Sequence, residues 1–250
     1  MKRQATKSTK SAEPALEARP TLVAARRAAI ARHVGRLTLA EQAYELIKSR
    51  ILSLELHPGQ FLTEAALCEL TEIGRMPVHQ ATHRLQSEGL IEVIARKGLI
   101  IRMDSLNDVL ELLEARLAFE PNVAALAAER ISKEQCTQLE KLLRQSRELV
   151  SQSQRQAFGL IDRAFHGIVT DAAGNKILAD TLRPLQQRSE LFWRLRIMPE
   201  EGLEVTQREH EAVLGAILRH DAAGARKAMQ AHLVSLHNRI LKAANHRRQA

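Results

Sequence analysis

The stretch GRMPVHQATHRLQSEGLIEVIARKGLIIR, residues 74–102, begins with a helical pattern and ends with two short β-type runs. Pro77 suits a first helical turn, and Val78, Ala81 and Leu85 recur at the spacing of one helix face. Gly89 then marks the end of the helix, because glycine adopts the left-handed backbone of a C-terminal cap at little cost. The sequence therefore predicts a helix within 74–90 that has one apolar face.

The segments on either side of this helix complete a small domain. Downstream, IEVI at 91–94 and LIIR at 99–102 are joined by ARKG, a turn with a hairpin signature. Upstream, LTLAEQAYELIKSRILSLEL at 37–56 has helical spacing, and Thr63 and Glu64 open a short helix to about Leu70. Three helices followed by a basic hairpin predict a winged helix-turn-helix domain, which we place at 37–103.

Charge within this domain is distributed unevenly. It has seven Lys or Arg and eight Asp or Glu, but five of the seven cations lie from Arg75 onward and are opposed only by Glu88 and Glu92. The third helix adds polar groups on faces expected to be exposed: His79, Gln80, Thr82 and His83. Side chains of this kind can reach base edges and phosphates. A solvated polar helix beside a charged turn is the alternative, but the order of the elements favours DNA binding.

Residues 44–102 resemble the GntR family of bacterial transcription regulators, through PGQFLTEAALCEL, GRMPVHQATHRLQSEGLI and the RKG of the hairpin. The resemblance implies that Arg75 contacts DNA. The candidate DNA-binding residues on the third helix and the wing are Arg75, Met76, His79, Gln80, His83, Arg84, Arg96, Lys97 and Gly98. Position 79 is usually arginine in that family, and Met76 cannot cap a helix as threonine would. We therefore expect an operator sequence unlike the family's commonest one.

The net charge of +8 belongs mostly to the N-terminal tail, since residues 1–36 carry nine Lys or Arg against Glu13 and Glu17. We predict that 1–36 is a disordered basic tail, with TLVAARRAAIARHV as a possible short helix. The tail is either a solvated extension or a nonspecific phosphate-binding arm. No apolar run of about 18 residues and no apolar core of a secretory signal occur, so we expect a cytoplasmic protein without a membrane segment.

From Asp104 to the C-terminus the pattern predicts six helices packed as an antiparallel bundle. Ser105 with Asp108 forms a capping box at the first helix, and Pro121 is expected to bend or interrupt that helix. Thr206 with Glu209 is a second capping-box pattern. The fold class is mostly α: an N-terminal winged helix-turn-helix (37–103) followed by an all-α bundle (104–250).

DRAFH, residues 162–166, places Asp162 and His166 one turn apart on one helix face. His210 and His232 stand at comparable depth in two other amphipathic helices, so one carboxylate and three imidazoles could converge. For a single histidine a hydrogen-bonded core position is the better explanation. For the pair alone, a structural hydrogen bond and a metal site explain the pattern equally well.

Residues 106–240 resemble the FCD ligand-binding domain of the FadR-type subfamily, through ELLEARLAFEPNVAALAAER, DRAFHGIVTDAAGN, QREHEAVLGAI and HDAAGARKAMQAHL. The resemblance implies a divalent metal held by four residues: Asp162, His166, His210 and His232. It also implies that Arg116 meets the carboxylate of an effector. Arg183, Arg188, Arg194 and Arg196 could line the effector pocket or solvate its outside.

The joint pattern predicts a DNA-binding regulator that responds to a small carboxylate. We expect zinc at the metal site, with nickel, manganese or iron as alternatives, because imidazoles with one carboxylate suit these ions. We also expect a homodimer that binds double-stranded operator DNA and acts as a repressor. A metal-dependent enzyme is the rival class, but the chain contains neither HExxH nor any E-x-x-H. A purely structural metal is a third alternative.

Overall fold

The computed structural model describes residues 37–195, 197 and 202–249, without the side chains of 194 and 246–249. The predicted basic tail, the Arg194 side chain and Arg196 lie outside the described residues. In chain order the elements are α1 (Leu39–Leu52), β1 (Phe61–Leu62), α2 (Glu64–Thr71), α3 (Arg75–Ser87), β2 (Ile91–Ile94), β3 (Gly98–Ile101), α4 (Leu106–Arg130), α5 (Lys133–Ser151), α6 (Arg155–Ala172), α7 (Lys176–Arg194), α8 (Gly202–Leu218) and α9 (Ala222–Gln249).

The N-terminal elements form the predicted winged helix-turn-helix. The apolar face of α3 is buried at Val78, Ala81 and Leu85, where it packs with α1 and the sheet. One prediction is wrong. Thr82 is buried and donates its hydroxyl to the carbonyl of His79, so it does not lie on the exposed face of the helix. Gly74 is the N-cap residue and no side chain caps the helix, in agreement with the expectation that Met76 does not.

The sheet contains a strand that the sequence did not reveal. Its order is β1-β3-β2 with both pairings antiparallel, and β1 joins through the pairs Phe61–Ile100 and Leu62–Leu99. Gly98 has a φ of +141°, and a Cβ there would lie 2.5 Å from the carbonyl oxygen of Leu62. Glycine at the end of the wing turn is therefore required by the close approach of β1.

The bundle contains the six predicted helices, with two local differences. Helix α4 runs without interruption through the buried Pro121, so the break expected there is absent. Helix α8 begins at Gly202, which places Thr206 in its interior and not at a cap. The Thr206 hydroxyl accepts a hydrogen bond from Nη2 of Arg239 (3.0 Å). The capping box of Ser105 and Asp108 is present as predicted.

The described residues from Leu37 onward form one compact unit, in which α7 contacts both groups of elements. Leu191 of α7 is buried in the core of the winged helix, and Phe192 and Trp193 are buried in the bundle. The proposed domain boundary at 103/104 lies in the connection between β3 and α4. Within the described part of the chain, no helix is both long enough and apolar enough to cross a membrane.

Candidate functional sites: a histidine cluster and a DNA-facing surface

Three histidines from three helices meet inside the bundle. His166 of α6, His210 of α8 and His232 of α9 are all buried, and one ring nitrogen of each lies within 4.8 Å of those of the others. Phe165 stacks on the His210 ring at 4.2 Å between centroids and fixes its orientation. Because each helix buries its histidine on its apolar face, the cluster forms at the centre of the bundle.

Asp162 lies at the edge of this cluster. It is one turn before His166 on α6, and its Oδ1 is 3.6 Å from Nε2 of His210. The side chain is almost fully buried, so its carboxylate is shielded from water and faces the imidazoles. The structure therefore brings three of the predicted ligands, the histidines, into one cluster and places the fourth, Asp162, beside His210.

Two of the imidazoles, those of His210 and His232, are held in their neutral form. Burial is the main cause that lowers the pKa of His210 well below its ordinary value, and the neighbouring His232 and His166 lower it further. Burial also lowers the pKa of His232, against the opposing effect of Glu209. A neutral imidazole has a free lone pair, which is the form that binds a metal ion.

Two carboxylates behind the cluster, the buried Glu120 and the half-buried Glu209, were missed in the sequence. Glu209 accepts a hydrogen bond from Nδ1 of His232 (2.9 Å) and is itself held by Arg239. Oε2 of Glu120 lies 2.7 Å from Nδ1 of His166. Metal-binding histidines commonly face a carboxylate with their second nitrogen, which orients the ring and fixes its tautomer. The available signal was spacing, since Glu120 follows Arg116 by four positions and Glu209 precedes His210.

Several ring nitrogens of the cluster lack partners. Within the part of the chain that the structure describes, Nε2 of His166, both nitrogens of His210 and Nε2 of His232 are buried and accept or donate no hydrogen bond. Buried polar atoms are normally satisfied, so this concentration of unsatisfied nitrogens calls for an explanation. The cluster could bind a metal ion, and its lone pairs fit that role.

Arg116 lies beside the cluster but is already paired. Its guanidinium is 1% exposed and donates through Nε and Nη2 to the two oxygens of Glu120, at 2.7 and 3.3 Å. Its Nη1 donates to the hydroxyl of Ser189 on α7 (3.0 Å). Burial by itself would raise the pKa of Glu120, but Arg116 and His166 outweigh it and hold that pKa far below its usual value. Arg116 is therefore part of a buried ion pair and does not present an open fork.

Helix α7 connects this ion pair to the winged helix. Gln186 donates to Glu120 (3.3 Å), one turn from Ser189. Toward the winged helix, Arg188 of α7 donates a hydrogen bond to Asp104 (2.6 Å). Arg188 also lies against Gly89, where an added Cβ would be only 2.9 Å from Nη1 of Arg188. Arg183, another pocket candidate, is half exposed and pairs with Asp171 on the surface.

The DNA-binding candidates on α3 share one exposed surface, with one exception. The side chain of Arg75 is 85% exposed, and Met76 as a whole residue is 66% exposed. His79, Gln80 and His83 are also exposed, further along the helix. Arg84 differs because its guanidinium lies over the Tyr44 ring, 3.7 Å from the centroid, and its Nε is 3.2 Å from Glu88. Through this contact with Tyr44, Arg84 also packs α3 against α1.

The wing supplies a second cationic element. Arg96 and Lys97 are exposed at its tip, and Arg96 has a left-handed backbone (φ +63°). A groove of about 780 Å³ separates the wing from the start of α2, with Arg75, Arg96 and Lys97 among its lining residues. Gly98, also a DNA-binding candidate, is half-buried against β1, which gives it a structural role.

Comparison with protein families assigns both halves of the chain. The profile of bacterial regulatory proteins of the gntR family matches residues 39–101, and that of the FCD domain matches residues 111–235. The chain is similar to the HTH-type transcriptional repressor RspR of Escherichia coli K12, with 29% identity over 196 residues, which cover 77% of this chain and 85% of the relative. It is also 27% identical over 233 residues to the Uxu operon transcriptional regulator of E. coli K12, with coverages of 83% and 90%.

A solved structure shares the fold. The structure of E. coli McbR/YncC superposes with a TM-score of 0.71 at 19% sequence identity, over 82% of this chain and 98% of that chain. At this identity the likeness concerns the fold alone. It agrees with the order found here, in which a winged helix-turn-helix precedes a helical bundle.

Proposed function

The chain belongs to the GntR family of bacterial regulatory proteins and carries an FCD domain, and from this premise we propose that a metal and a small organic acid control its binding to DNA. The chain is a DNA-binding transcriptional regulator and not an enzyme. The proposal concerns the finer points: the ligands of the metal, the class of effector, the oligomeric state and the direction of regulation. The observation that carries it is the cluster of three buried imidazoles, in which several ring nitrogens lack hydrogen-bond partners.

We assign the metal to Asp162, His166, His210 and His232. These residues provide three imidazoles and one carboxylate, a set that suits zinc first and nickel, manganese or iron as alternatives. A six-coordinate ion held by these four groups would keep two positions for carboxylate or hydroxyl oxygens of a small acid, whereas zinc, which usually takes four ligands, would have to expand its coordination to accept them. Glu120 and Glu209 would orient His166 and His232 from behind, as the contacts of their Nδ1 atoms support.

The effector would be a small organic acid that meets both the metal and the positive charge of Arg116. Because Glu120 already occupies Nε and Nη2 of Arg116, an effector carboxylate gains that bidentate fork by displacing Glu120. Displacement would also alter the contacts of Glu120 with His166 and Gln186. Effector binding is thereby coupled to the position of α7.

Helix α7 would transmit this change to the DNA-binding surface. It carries Ser189 and Gln186 toward the ion pair, and Arg188 and Leu191 toward the winged helix. A ligand shifts an equilibrium only through contacts that differ between two states, and in this proposal the contacts of these residues are the ones that change. We expect a coupling free energy of about 1–3 kcal/mol between effector and operator.

We propose a homodimer in which two α3 helices read an inverted repeat, and effector binding that releases the operator. A repressor is the direction supported by the relative RspR, whose name describes it as a repressor. Arg75 is the principal contact in this proposal. Arg75→Ala should abolish operator binding, whereas Arg144→Ala, which removes an exposed arginine of the bundle, should leave it unchanged. Equal binding by both variants would refute the assigned role of Arg75.

The metal site is tested by elemental analysis of the purified protein. The double variant Asp162→Ala/His232→Ala should lose the metal, and His237→Ala, which removes a half-buried histidine of α9 outside the cluster, should retain it. Circular dichroism would establish that both variants fold. A metal content that stays equal to the wild type in the folded double variant would show that the ion lies elsewhere.

The effector is tested by thermal stabilisation of the metal-loaded protein with organic acids, sugar acids and amino acids. A ligand that stabilises the wild type but neither the metal-free protein nor Arg116→Met would support binding at this site. Stabilisation by acids that persists without metal would favour the alternative of a purely structural ion and a separate effector pocket.

A further inference from the structure

Two histidines on α3 form a second cluster of imidazoles, far in sequence from the first. His79 and His83 lie four residues apart on the exposed surface of the helix, and their Nε2 atoms are 3.1 Å apart. Their rings meet edge to face, with centroids 4.5 Å apart. Side chains at positions i and i+4 share a helix face, and paired histidines at this spacing are a common means of binding a metal on a helix.

Glu64 fixes the orientation of one of these rings. Its Oε1 lies 2.6 Å from Nδ1 of His79, so the hydrogen-bonded proton resides on Nδ1 in the neutral ring. The lone pair of His79 is then on Nε2, which faces His83. A carboxylate on one imidazole nitrogen and a free lone pair on the other is the arrangement found around metal-binding histidines.

The distance between the two Nε2 atoms suits a shared ion. Two metal–nitrogen bonds of about 2.0–2.1 Å place their nitrogens about 3.3 Å apart at a tetrahedral angle and about 2.9 Å apart at a right angle. The observed 3.1 Å lies between these values. In the metal-free protein His83 donates its Nε2 proton to His79, and an ion would replace that proton while His83 changes to the other tautomer.

We propose that Glu64, His79 and His83 form a second metal site, on the outer face of α3, for a divalent cation of the zinc or nickel class. The two Nε2 atoms are the protein ligands, water fills the remaining positions, and Glu64 is a positioning residue that binds through His79. Imidazole nitrogen selects this class of cation over magnesium or calcium, which prefer oxygen. The site is independent of the histidine cluster in the bundle.

The positive charge of one neighbouring side chain, Arg75, would repel a bound metal ion. Nε of Arg75 is 3.8 Å from Oε2 of Glu64, but the side chain of Arg75 is 85% exposed and solvent screens its charge. Glu64 supplies a compensating negative charge between the two. Because His79 and His83 lie among the DNA-binding candidates, an ion there would occupy nitrogen atoms that otherwise face the operator.

Equilibrium dialysis of the full-length protein against zinc chloride, followed by elemental analysis, tests the site. The wild type should hold one more zinc ion per chain than His79→Gln or His83→Gln. His57→Gln, which removes an exposed histidine of the turn after α1, should match the wild type. The exposed positions of the substituted side chains leave the core intact. An ion gained or lost in the bundle changes the zinc content of the wild type and of each variant by the same amount. The difference in zinc content between wild type and variant therefore does not depend on the function proposed above.

A titration with zinc then tests the role of Glu64. Glu64→Gln should retain the site but weaken zinc binding by about 10–100-fold, since partners behind a ligand contribute on this scale. Unchanged affinity would overturn the positioning role of Glu64. The site itself would be overturned if wild type and both histidine variants held the same number of zinc ions at saturation.

Discussion

Neutralising Glu120 should destabilise the metal-free protein strongly. In Glu120→Gln the guanidinium of Arg116, which is almost fully buried, loses its counter-ion while the shape of the side chain is retained. Removing one partner of a buried ion pair costs about 3–5 kcal/mol, because the remaining charge stays in a medium of low polarity. For a chain of this size, 1 kcal/mol corresponds to about 2–4 °C in Tm, so we expect Tm to fall by roughly 6–20 °C.

Urea unfolding in the presence of a chelator measures this change without the contribution of a metal. Glu114→Gln, an exposed position on the same helix, is the matched control and should change the free energy of unfolding by less than about 0.5 kcal/mol. The double variant Glu120→Gln/Arg116→Met should be less destabilised than the sum of the single variants, because both charges are removed together. A cost below about 1 kcal/mol for Glu120→Gln, or simple additivity, would refute the assignment of a buried ion pair.

Protonation of Glu120 should destabilise the folded protein, as the substitution Glu120→Gln does. The pKa of Glu120 is lowered in the folded protein from an ordinary value of 4.5. Its contribution is therefore fully present above about pH 4.5 and is lost as the pH falls toward the folded pKa. The difference in stability between the wild type and Glu120→Gln should accordingly narrow in acid.

Three further predictions follow from other parts of the molecule. Ser105→Ala should remove about 1 kcal/mol of stability and raise the pKa of Asp108 from about 2, because the Ser105 hydroxyl is the main cause of that low value; NMR titration would detect both the shift and its absence. Arg188→Gln should reduce the effect of an effector on operator affinity, measured by fluorescence anisotropy, and an undiminished effect would remove α7 from the proposed coupling. The metal-free protein should lose stability below about pH 6.5, since His210 stays neutral when folded but takes up a proton when unfolded; a flat urea midpoint from pH 7 to 5.5 would contradict this.

Periodic apolar spacing allowed most helices to be predicted from the sequence. The stripe of Val78, Ala81 and Leu85 is buried as expected, and the hairpin forms around its glycine turn. Strand β1 was missed because two residues are too few to display an alternating pattern, and its partner β3 is distant in sequence. Continuity of α4 through Pro121 depends on packing within the bundle, which local propensity does not contain.

The residues of the candidate site were also predicted only in part from the sequence. Asp162, His166, His210 and His232 were identified together from their residue types and motif positions; the three histidines form one cluster in the structure, and Asp162 lies beside His210. Glu120 was missed because a glutamate four residues after an arginine in a helix usually forms an exposed ion pair. Only the three-dimensional packing shows that this pair is buried beside the histidines.

The position of Leu191 has a consequence for biosynthesis. This side chain fills the core of the winged helix, although about 90 residues separate it from the last strand of that domain. During translation the apolar core of this domain therefore remains incomplete until α7 has been synthesised. A fragment that ends near residue 103 would expose the surface that Leu191 covers, so we expect it to self-associate more readily than the full-length chain.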